Sequence, residues 1–405
     1  MNGPRQGAWP RPWVALAAAW LALLAGGCDG APGPGRQGSL GVADVLGATA
    51  DAAGFARATA VPTLRFPEDH GAHPAFRTEW WYVTGNLATA AGRRFGVQLV
   101  FFRQALVPPG APRPATLAAH EVILAHAAVT DADGQRFFAQ EQQARAAGGL
   151  GFVRGPGGTG GASGTGGAAQ PFAIVCGDWS AKAQPAGDGF LPMDLRAAGD
   201  GFAFALELQP GKPLVLQGDR GLSQKSGEPG NASIYYSMTR LPVTGRITLG
   251  TEAHVVQGEA WLDREWSTSA LGADQVGWDW FSLQLDSGEE VMWYRLRRRD
   301  GSLDRWSRGC VVARDGTATP LSVDDVEAIP QDLWQAPDGR ASYPARWQLR
   351  ARGAVPFELE VTPLLADQEL RVLVRYWEGA VAVRGTRGGV PVVGHGYLEM
   401  TGYSR

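Results

Sequence analysis

The densest group of ionisable and aromatic residues lies between Trp261 and Trp266, which reads WLDREW. In an extended strand, side chains alternate between faces, so Asp263 and Glu265 share one face with Trp261, whereas Arg264 points to the other. A carboxyl desolvated among Trp rings has a raised pKa and stays protonated near neutral pH, and the ring faces stabilise a carbocation. The cluster therefore contains candidate groups for acid catalysis. The alternative is a structural network of ion pairs.

A second polar group surrounds the first Trp-rich stretch, at His70, His73 and Glu79. His70-x-x-His73 could supply two metal ligands, but no second pair at ligand spacing accompanies it, and no metal site is predicted. Glu79 is a further candidate catalytic carboxylate, and His and Glu could frame a polar rim over a barrel mouth. The alternative is a loop histidine that is hydrogen-bonded to backbone.

Several familiar catalytic and cofactor motifs are absent. His120-Glu121 and His126 do not form HExxH, no G-x-S-x-G is present, and there is no Walker A motif. Gly155 to Gly160 matches GxGxxG without a predicted strand before it or a helix after it, so no cofactor is predicted. A net charge of −3 argues against a nucleic-acid surface.

The elements that must position these residues are strands. The chain has 405 residues, 56 of them Gly and 15 Trp, with 44% hydrophobic residues. Apolar residues recur with period two in short segments separated by Gly, Asp and Pro, which indicates an antiparallel sandwich or barrel. The clearest segments are Trp80–Leu87, Val97–Phe102, Phe202–Leu208, Trp278–Gln284, Met292–Leu296 and Leu370–Val374.

The N-terminus has the pattern of a bacterial lipoprotein signal peptide. Arg5 and Arg11 precede an apolar run from Trp13 to Leu24, too short for the ~20 residues that span a bilayer, and small residues then lead to Cys28. We predict that residues 1–28 form the signal peptide and that Cys28 is acylated, which would anchor the protein to the membrane. Asp29 follows the pattern for retention in the inner membrane, so the predicted location is the periplasmic side of that membrane. An ordinary cleaved signal peptide is the alternative.

The remaining chain divides by composition. Residues 29–60 are rich in Gly, Pro and Ala and are predicted to form a flexible tether. Residues 148–167 are predicted to form a flexible Gly-rich surface loop. The two remaining cysteines, Cys176 and Cys310, could form one disulfide or stay as buried free thiols. The chain has only three lysines, Lys182, Lys212 and Lys225, which we interpret as a genomic bias towards Arg.

Two hairpins resemble each other and indicate a duplicated β unit. Trp80–Leu87 followed by Gly96–Arg103 parallels Trp278–Leu285 followed by Glu290–Arg297. Because one hairpin falls on each side of Pro242, we predict one barrel over residues 61–241 and another over 242–405.

Four long motifs resemble the secreted AttH-like family, which is related to carotenoid 1,2-hydratase. They are FPEDHGAHPAFRTEWWYVTGNL from Phe66, LQGDRGLSQKSGEPGNASIYYSMTRLPVTG from Leu216, GEAWLDREWSTSALGADQVGWDWFSLQL from Gly258 and LADQELRVLVRYWEGAVAVRG from Leu365. The resemblance implies an all-β fold of two tandem lipocalin-like (calycin) antiparallel barrels with few short helices. It also implies that Asp263 is the acid in an aromatic-x-Asp motif, here Trp261-x-Asp263. The hydratase branch has an upstream His where this chain reads Ile234-Tyr235-Tyr236.

Three functions remain open. The protein could bind a large apolar molecule, such as a lipid or isoprenoid, inside a barrel. It could be a hydratase-type enzyme using Asp263, Glu265 and Glu79, or an accessory subunit of a membrane export complex. An enzyme predicts a cavity with a carboxyl at its wall, whereas an export subunit predicts exposed aromatic residues and no cavity. Site residues are expected to converge between the barrels; the proposed ligand-contacting members are Trp80, Trp261, Arg264, Trp278 and Asp279.

Overall fold

The computed structural model describes residues 52–111, 119–146, 148–156, 170–269 and 271–404. The predicted signal peptide, its Cys28 and most of the predicted tether lie outside these ranges. Within them, the one helix is a short 3₁₀ turn at Glu68–His70, and no helix is long and apolar enough to cross a membrane.

Thirteen antiparallel strands form the first sheet. The strands are β1 (Thr78–Ala88), β2 (Arg94–Ala105), β3 (Glu121–Asp131), β4 (Arg136–Arg145), β5 (Gly151–Arg154), β6 (Ala173–Cys176), β7 (Trp179–Ala183), β8 (Met193–Gly199), β9 (Phe202–Leu208), β10 (Val215–Leu216), β11 (Leu222–Gln224), β12 (Ala232–Leu249) and β13 (Glu252–Ser267). Their order is β4-β3-β2-β1-β13-β12-β9-β8-β7-β6-β5, with β10 and β11 pairing to β12.

The first sheet curls into a nearly closed barrel. Its ends approach each other where the Cys176 Sγ donates a hydrogen bond to the Ile123 carbonyl at 3.4 Å. Alternate side chains such as Trp81, Phe101 and Phe204 are buried inside, as the period-two pattern predicts. A cavity of only about 10 Å³ lies among these side chains, next to Trp81 and Phe101. It is too small for the large apolar ligand that a hollow lipocalin-like barrel would hold.

Ten strands form the second sheet, which is a half-barrel. They are β14 (Gln275–Leu285), β15 (Glu290–Arg298), β16 (Arg308–Val312), β17 (Ala318–Ser322), β18 (Val326–Gln335), β19 (Ser342–Ala351), β20 (Phe357–Pro363), β21 (Glu369–Leu370), β22 (Tyr376–Arg387) and β23 (Val390–Thr401). Their order is β17-β16-β15-β14-β23-β22-β20-β19-β18, with β21 pairing to β22. The predicted all-β fold of two tandem lipocalin-like units is confirmed.

The two sheets pack against each other through their outer faces. A buried cluster joins Tyr82, Tyr235 and Trp261 of the first sheet to Trp280 and Tyr294 of the second. The backbones approach closely at Gly96, where a Cβ would lie only 2.5 Å from the Cβ of Ala380. Hydrogen bonds also cross the junction. Arg240 Nε donates to Glu290 at 2.6 Å, and Gln98 Nε2 donates to Tyr376 at 3.0 Å.

Three predicted boundaries need correction. Pro242 lies inside β12, and the change of sheet falls between Ser267 and Gln275, because β13 pairs with β1 and completes the first barrel. The predicted Gly-rich loop, residues 148–167, contains a strand, Gly151–Arg154, which pairs with β6; residues 157–169 lie outside the described ranges. The predicted tether ends before residue 60, since Ala58 is buried in the first core and Ala56 N donates to the Ala75 carbonyl.

The two cysteines are free. Cys176 is buried in the core of the first barrel and Cys310 in the junction between the sheets. Burial raises the pKa of each thiol to about 12, so neither forms a thiolate at neutral pH.

Candidate active site

A cavity of about 80 Å³ lies between the two sheets. Aromatic side chains from both sheets form most of its wall, among them Trp80, Phe102, Trp278, Trp280 and Tyr294. Its ionisable groups are the carboxyls Asp263, Glu265 and Glu399, the phenols of Tyr82, Tyr235, Tyr294 and Tyr376, and the ammonium of Lys225. Since one water needs roughly 10–15 Å³ on this measure, the cavity has room for a few waters or the end of an apolar chain.

Asp263 accepts more hydrogen bonds than the other carboxyls in the cavity wall. Its Oδ1 accepts hydrogen bonds from Ser237 Oγ at 2.5 Å and Trp261 Nε1 at 2.8 Å, and its Oδ2 accepts one from Tyr235 OH at 2.8 Å. Burial outweighs these donors and, with a smaller contribution from the nearby Glu265, raises the pKa of Asp263 to about 7. A substantial fraction of Asp263 is therefore protonated at neutral pH.

Tyr235 links Asp263 to the second sheet. Its hydroxyl also accepts a hydrogen bond from Trp280 Nε1 at 3.2 Å. When Asp263 carries a proton on Oδ2, that proton can be donated to the Tyr235 oxygen, and the phenolic hydrogen is then free to turn elsewhere. Asp263 and Tyr235 therefore form a two-member path for a proton at the cavity wall.

Glu265 lies on the same face of β13 as Asp263 and is ion-paired. Its Oε1 lies 3.0 Å from the Lys225 Nζ, which also lies 4.4 Å from the centre of the Tyr294 ring. Burial alone would lower the pKa of Lys225, but Glu265 outweighs it and the pKa is raised. Lys225 is therefore a fixed cation and cannot act as a neutral nucleophile.

Glu399 faces the cavity from the second sheet. Its Oε2 accepts a hydrogen bond from Trp278 Nε1 at 3.1 Å. Burial, with smaller contributions from Asp263 and Glu265, raises the pKa of Glu399 to about 7 despite this bond. The wall thus carries two carboxyls that both titrate near neutrality.

Glu79 and Arg264 lie on the opposite face of the first sheet, inside the barrel. Glu79 is fully buried, accepts a hydrogen bond from Arg103 NH1 at 2.9 Å and is bonded to Arg264 NH2. Burial alone would raise the pKa of Glu79, but Arg264, His73 and Arg103 lower it to about 2. The Arg264 guanidinium also stacks 3.8 Å from the centre of the Trp81 ring. This network is away from the cavity and holds the barrel end together.

The two candidate histidines are part of the same barrel end. His73 stacks on Trp266 with centroids 3.8 Å apart and contacts Asp69 at 3.1 Å through Nε2. His70 is buried, and its Nδ1 lies 2.6 Å from Tyr236 OH. Burial lowers the pKa of His70 to about 3, so it stays neutral. Among the described residues, no group of three His, Cys, Asp or Glu could hold a metal ion.

Asp279 lies inside the second half-barrel and does not reach the cavity. Its Oδ2 lies 3.1 Å from Arg295 Nε, and its Oδ1 accepts a hydrogen bond from Tyr403 OH at 2.8 Å. Burial raises its pKa although Arg297 and Arg295 oppose the shift. The predicted convergence therefore divides in two: Trp80, Trp261, Asp263, Glu265 and Trp278 meet at the junction, whereas Glu79, Arg264 and Asp279 do not.

Three residues at the cavity wall, Lys225, Tyr235 and Glu399, were not predicted as site residues. Lys225 could have been singled out from the sequence, because lysine is rare in this Arg-rich chain. Glu399 shares a face of β23 with Tyr397, but nothing in the sequence alone shows that β23 pairs with β14.

The chain is all-β, and its two lipocalin-like sheets enclose an aromatic cavity that bears carboxyls. It is therefore a tandem lipocalin-like barrel protein. Residues 57–403 match the family model described as AttH-like, and the chain belongs to that family.

Two solved structures show how far the likeness extends. A protein designated AttH from Nitrosomonas europaea is 34% identical, with a TM-score of 0.72 over 86% of this chain and 100% of that one. Kievitone hydratase from Nectria haematococca is 15% identical, with a TM-score of 0.62 over 86% of this chain and 96% of that one, a likeness of fold. No curated protein sequence gives a significant match.

Proposed function

We propose that the protein is a hydratase-type enzyme that protonates a C=C bond of an apolar molecule and lets water add to the resulting cation. The observation that carries the proposal is the Asp263 carboxyl, which faces an aromatic cavity with a pKa raised to about 7. An acid with a pKa near the working pH is partly protonated and still transfers its proton. The resemblance to kievitone hydratase supports only the fold.

The atoms balance in two steps. The π electrons of the alkene take the Asp263 proton, directly or through Tyr235, to form a C–H bond and leave a cation on the neighbouring carbon. The oxygen of water then forms the C–O bond and loses a proton. The rings of Trp80, Trp278 and Trp280 line the cavity and can stabilise the cation between these steps.

The dimensions indicate which part of a substrate enters. A cavity of about 80 Å³ encloses the end of a chain, so a large isoprenoid or lipid would place only its terminal alkene inside. A trisubstituted terminal alkene suits this site, because its protonation gives a tertiary cation, the easiest alkyl cation for a carboxylic acid to form.

Simple binding of an apolar ligand is the second candidate, and it uses the same cavity. The packed interior of the first barrel favours the junction over the barrel as the binding place. An export subunit would require exposed aromatic residues, but among the described large hydrophobic side chains that are exposed, only Phe66 is aromatic. Anchoring by an acylated Cys28 at the inner membrane would bring the cavity close to ligands that partition into lipid.

The test uses geraniol, an isoprenoid alcohol with a trisubstituted terminal alkene, in water enriched in oxygen-18. The wild-type protein should give a diol whose new hydroxyl carries the heavy oxygen, and Asp263→Asn should give none. If the wild type binds geraniol without forming a diol while the Asp263→Asn variant binds it equally, the binding candidate replaces the enzyme.

A further inference from the structure

The two duplicated hairpins can be aligned through an acid–arginine pair that each of them contains, away from the cavity. In the first unit Glu79 lies directly across from Arg103, and in the second Asp279 lies across from Arg295. Matching these two acid–arginine pairs aligns Trp80 with Trp280, two positions later than the Trp80–Trp278 match that the sequence suggests.

This alignment also pairs two carboxylates. Trp80 lies across from Glu265 on β13, and Trp280 lies across from Glu399 on β23. Each sheet therefore contributes one Trp–Glu pair to the cavity, and the duplication places Glu265 and Glu399 in equivalent positions.

The two glutamates have different surroundings. Glu265 is buried and held by Lys225 at 3.0 Å. Glu399 forms no ion pair within the described ranges: its Oε2 accepts the bond from Trp278, and its Oε1 has no hydrogen-bond partner among the described residues. Glu399 is only partly buried and lines the cavity, so an oxygen is available to water there.

The carboxyl of Glu378, on the neighbouring strand, differs from that of Glu399 in its surroundings. Glu378 lies directly across from Glu399 on β22, is fully buried and accepts a hydrogen bond from Tyr82 OH. Burial and the nearby Glu399 raise the pKa of Glu378 well above its usual value, so Glu378 stays neutral. Glu378 does not line the cavity, whereas Glu399 does.

The charged and titratable groups around Glu399 come from every element packed near it. They are Glu378 and Tyr376 on β22, Asp263 and Glu265 on β13, Tyr82 on β1, Tyr235 on β12, Tyr294 on β15 and Lys225 after β11. Lys225 is the one cation in this set and is already paired with Glu265.

We infer that Glu399 is a second catalytic residue, which accepts the proton that water loses when it adds to the substrate cation. The inference rests on the proposed function, in which Asp263 donates the first proton. In one turnover Asp263 becomes ionised, Glu399 becomes protonated, and one water is added across the double bond. Exchange of both carboxyls with solvent restores the starting state.

The closing experiment compares Glu399→Gln with Glu378→Gln, a matched change on the neighbouring strand. The proteins are incubated with geraniol in deuterium oxide, and both the diol and the recovered geraniol are analysed by mass spectrometry. Removing a general base lowers the hydration rate by about 10²-fold or more. Glu399→Gln should therefore lose the diol yet still exchange deuterium into recovered geraniol, because Asp263 can deliver a deuteron to the alkene and the cation can then return a protium to Asp263 as the double bond re-forms. Glu378→Gln should keep both reactions, and Asp263→Asn should lose both.

A second readout does not depend on turnover. Infrared difference spectra across neutral pH should show a protonated carboxyl that ionises near pH 7 in the wild type and Glu378→Gln, and this signal should be smaller in Glu399→Gln. Wild-type rates of hydration in Glu399→Gln, or an unchanged infrared signal, would overturn the inference. If the wild type neither hydrates nor deuterates geraniol, the proposed function fails for this substrate, and the infrared result decides whether Glu399 is a titrating group.

Discussion

Replacing Asp263 by Asn should stabilise the protein at neutral pH. In the folded protein the pKa of Asp263 is about 7, against 3.8 for an unburied Asp. Asn has the shape of the protonated carboxyl: its Oδ1 can keep the bonds from Ser237 and Trp261, and its amide can donate to Tyr235. The variant therefore loses the cost of ionising a buried carboxyl while it keeps the local packing.

The magnitude follows from the pKa difference. Because the folded state disfavours the ionised form, wild-type stability relative to Asp263→Asn is greatest below about pH 4, falls between about pH 4 and pH 7, and is lowest above pH 7. About three pKa units at 1.36 kcal/mol each give a total of about 4 kcal/mol.

Urea unfolding of both proteins across this pH range measures the difference. The free energies of unfolding should diverge as pH rises, while hydration of geraniol should vanish in the variant at every pH. Parallel stability curves would show that Asp263 ionises normally in the folded protein and would refute the reasoning about its protonation.

Four other outcomes are expected. Glu79→Gln should lower the free energy of unfolding in urea by about 3–5 kcal/mol, because it leaves Arg103 and Arg264 buried without their carboxylate, but activity per folded molecule should persist. Trp278→Leu should reduce the rate of geraniol hydration with little loss of stability, since its ring is partly exposed to the cavity; an unchanged rate would remove Trp278 from the site. The rate of hydration plotted against pH should be bell-shaped with its maximum near pH 7, because Asp263 must be protonated and Glu399 ionised, and the two apparent pKa values belong to the pair. Cys28→Ala should abolish palmitate labelling and release the protein from membranes; continued membrane retention would contradict the predicted anchor.

Local pattern was enough to predict the fold class and one face of the site. Alternation along β13 correctly placed Trp261, Asp263 and Glu265 together and Arg264 on the opposite face, because strand geometry depends on neighbouring residues only. The repeated aromatic hairpins similarly indicated a duplicated unit.

Features that depend on pairing between distant strands could not be predicted in this way. The segment from Leu370 to Val374 alternates like a strand, yet the strand ends at Leu370 and only a single bridge residue, Val374, follows. Arg371 and Arg375 instead form ion pairs with Glu369. The division at Pro242 was placed too early because the pairing of β13 with β1 leaves no local mark.

The same limit explains the errors at the site. Glu79 and Asp279 are next to cavity-facing Trp residues in sequence, but adjacent residues in a strand point to opposite faces, so both carboxylates lie inside their own barrels. Glu399 belongs to the site only because its strand, β23, pairs with β14.

Whether Asp263 acts as the acid depends on its protonation state near neutral pH, which can be measured directly. Carbon-13 NMR of protein labelled at the Asp side-chain carboxyl, with the Asp263 signal assigned by its absence in Asp263→Asn, follows that group alone through a pH titration. We expect a midpoint near pH 7, with a shift of the signal when geraniol binds. A midpoint near the ordinary value of an exposed Asp, with no response to geraniol, would contradict it.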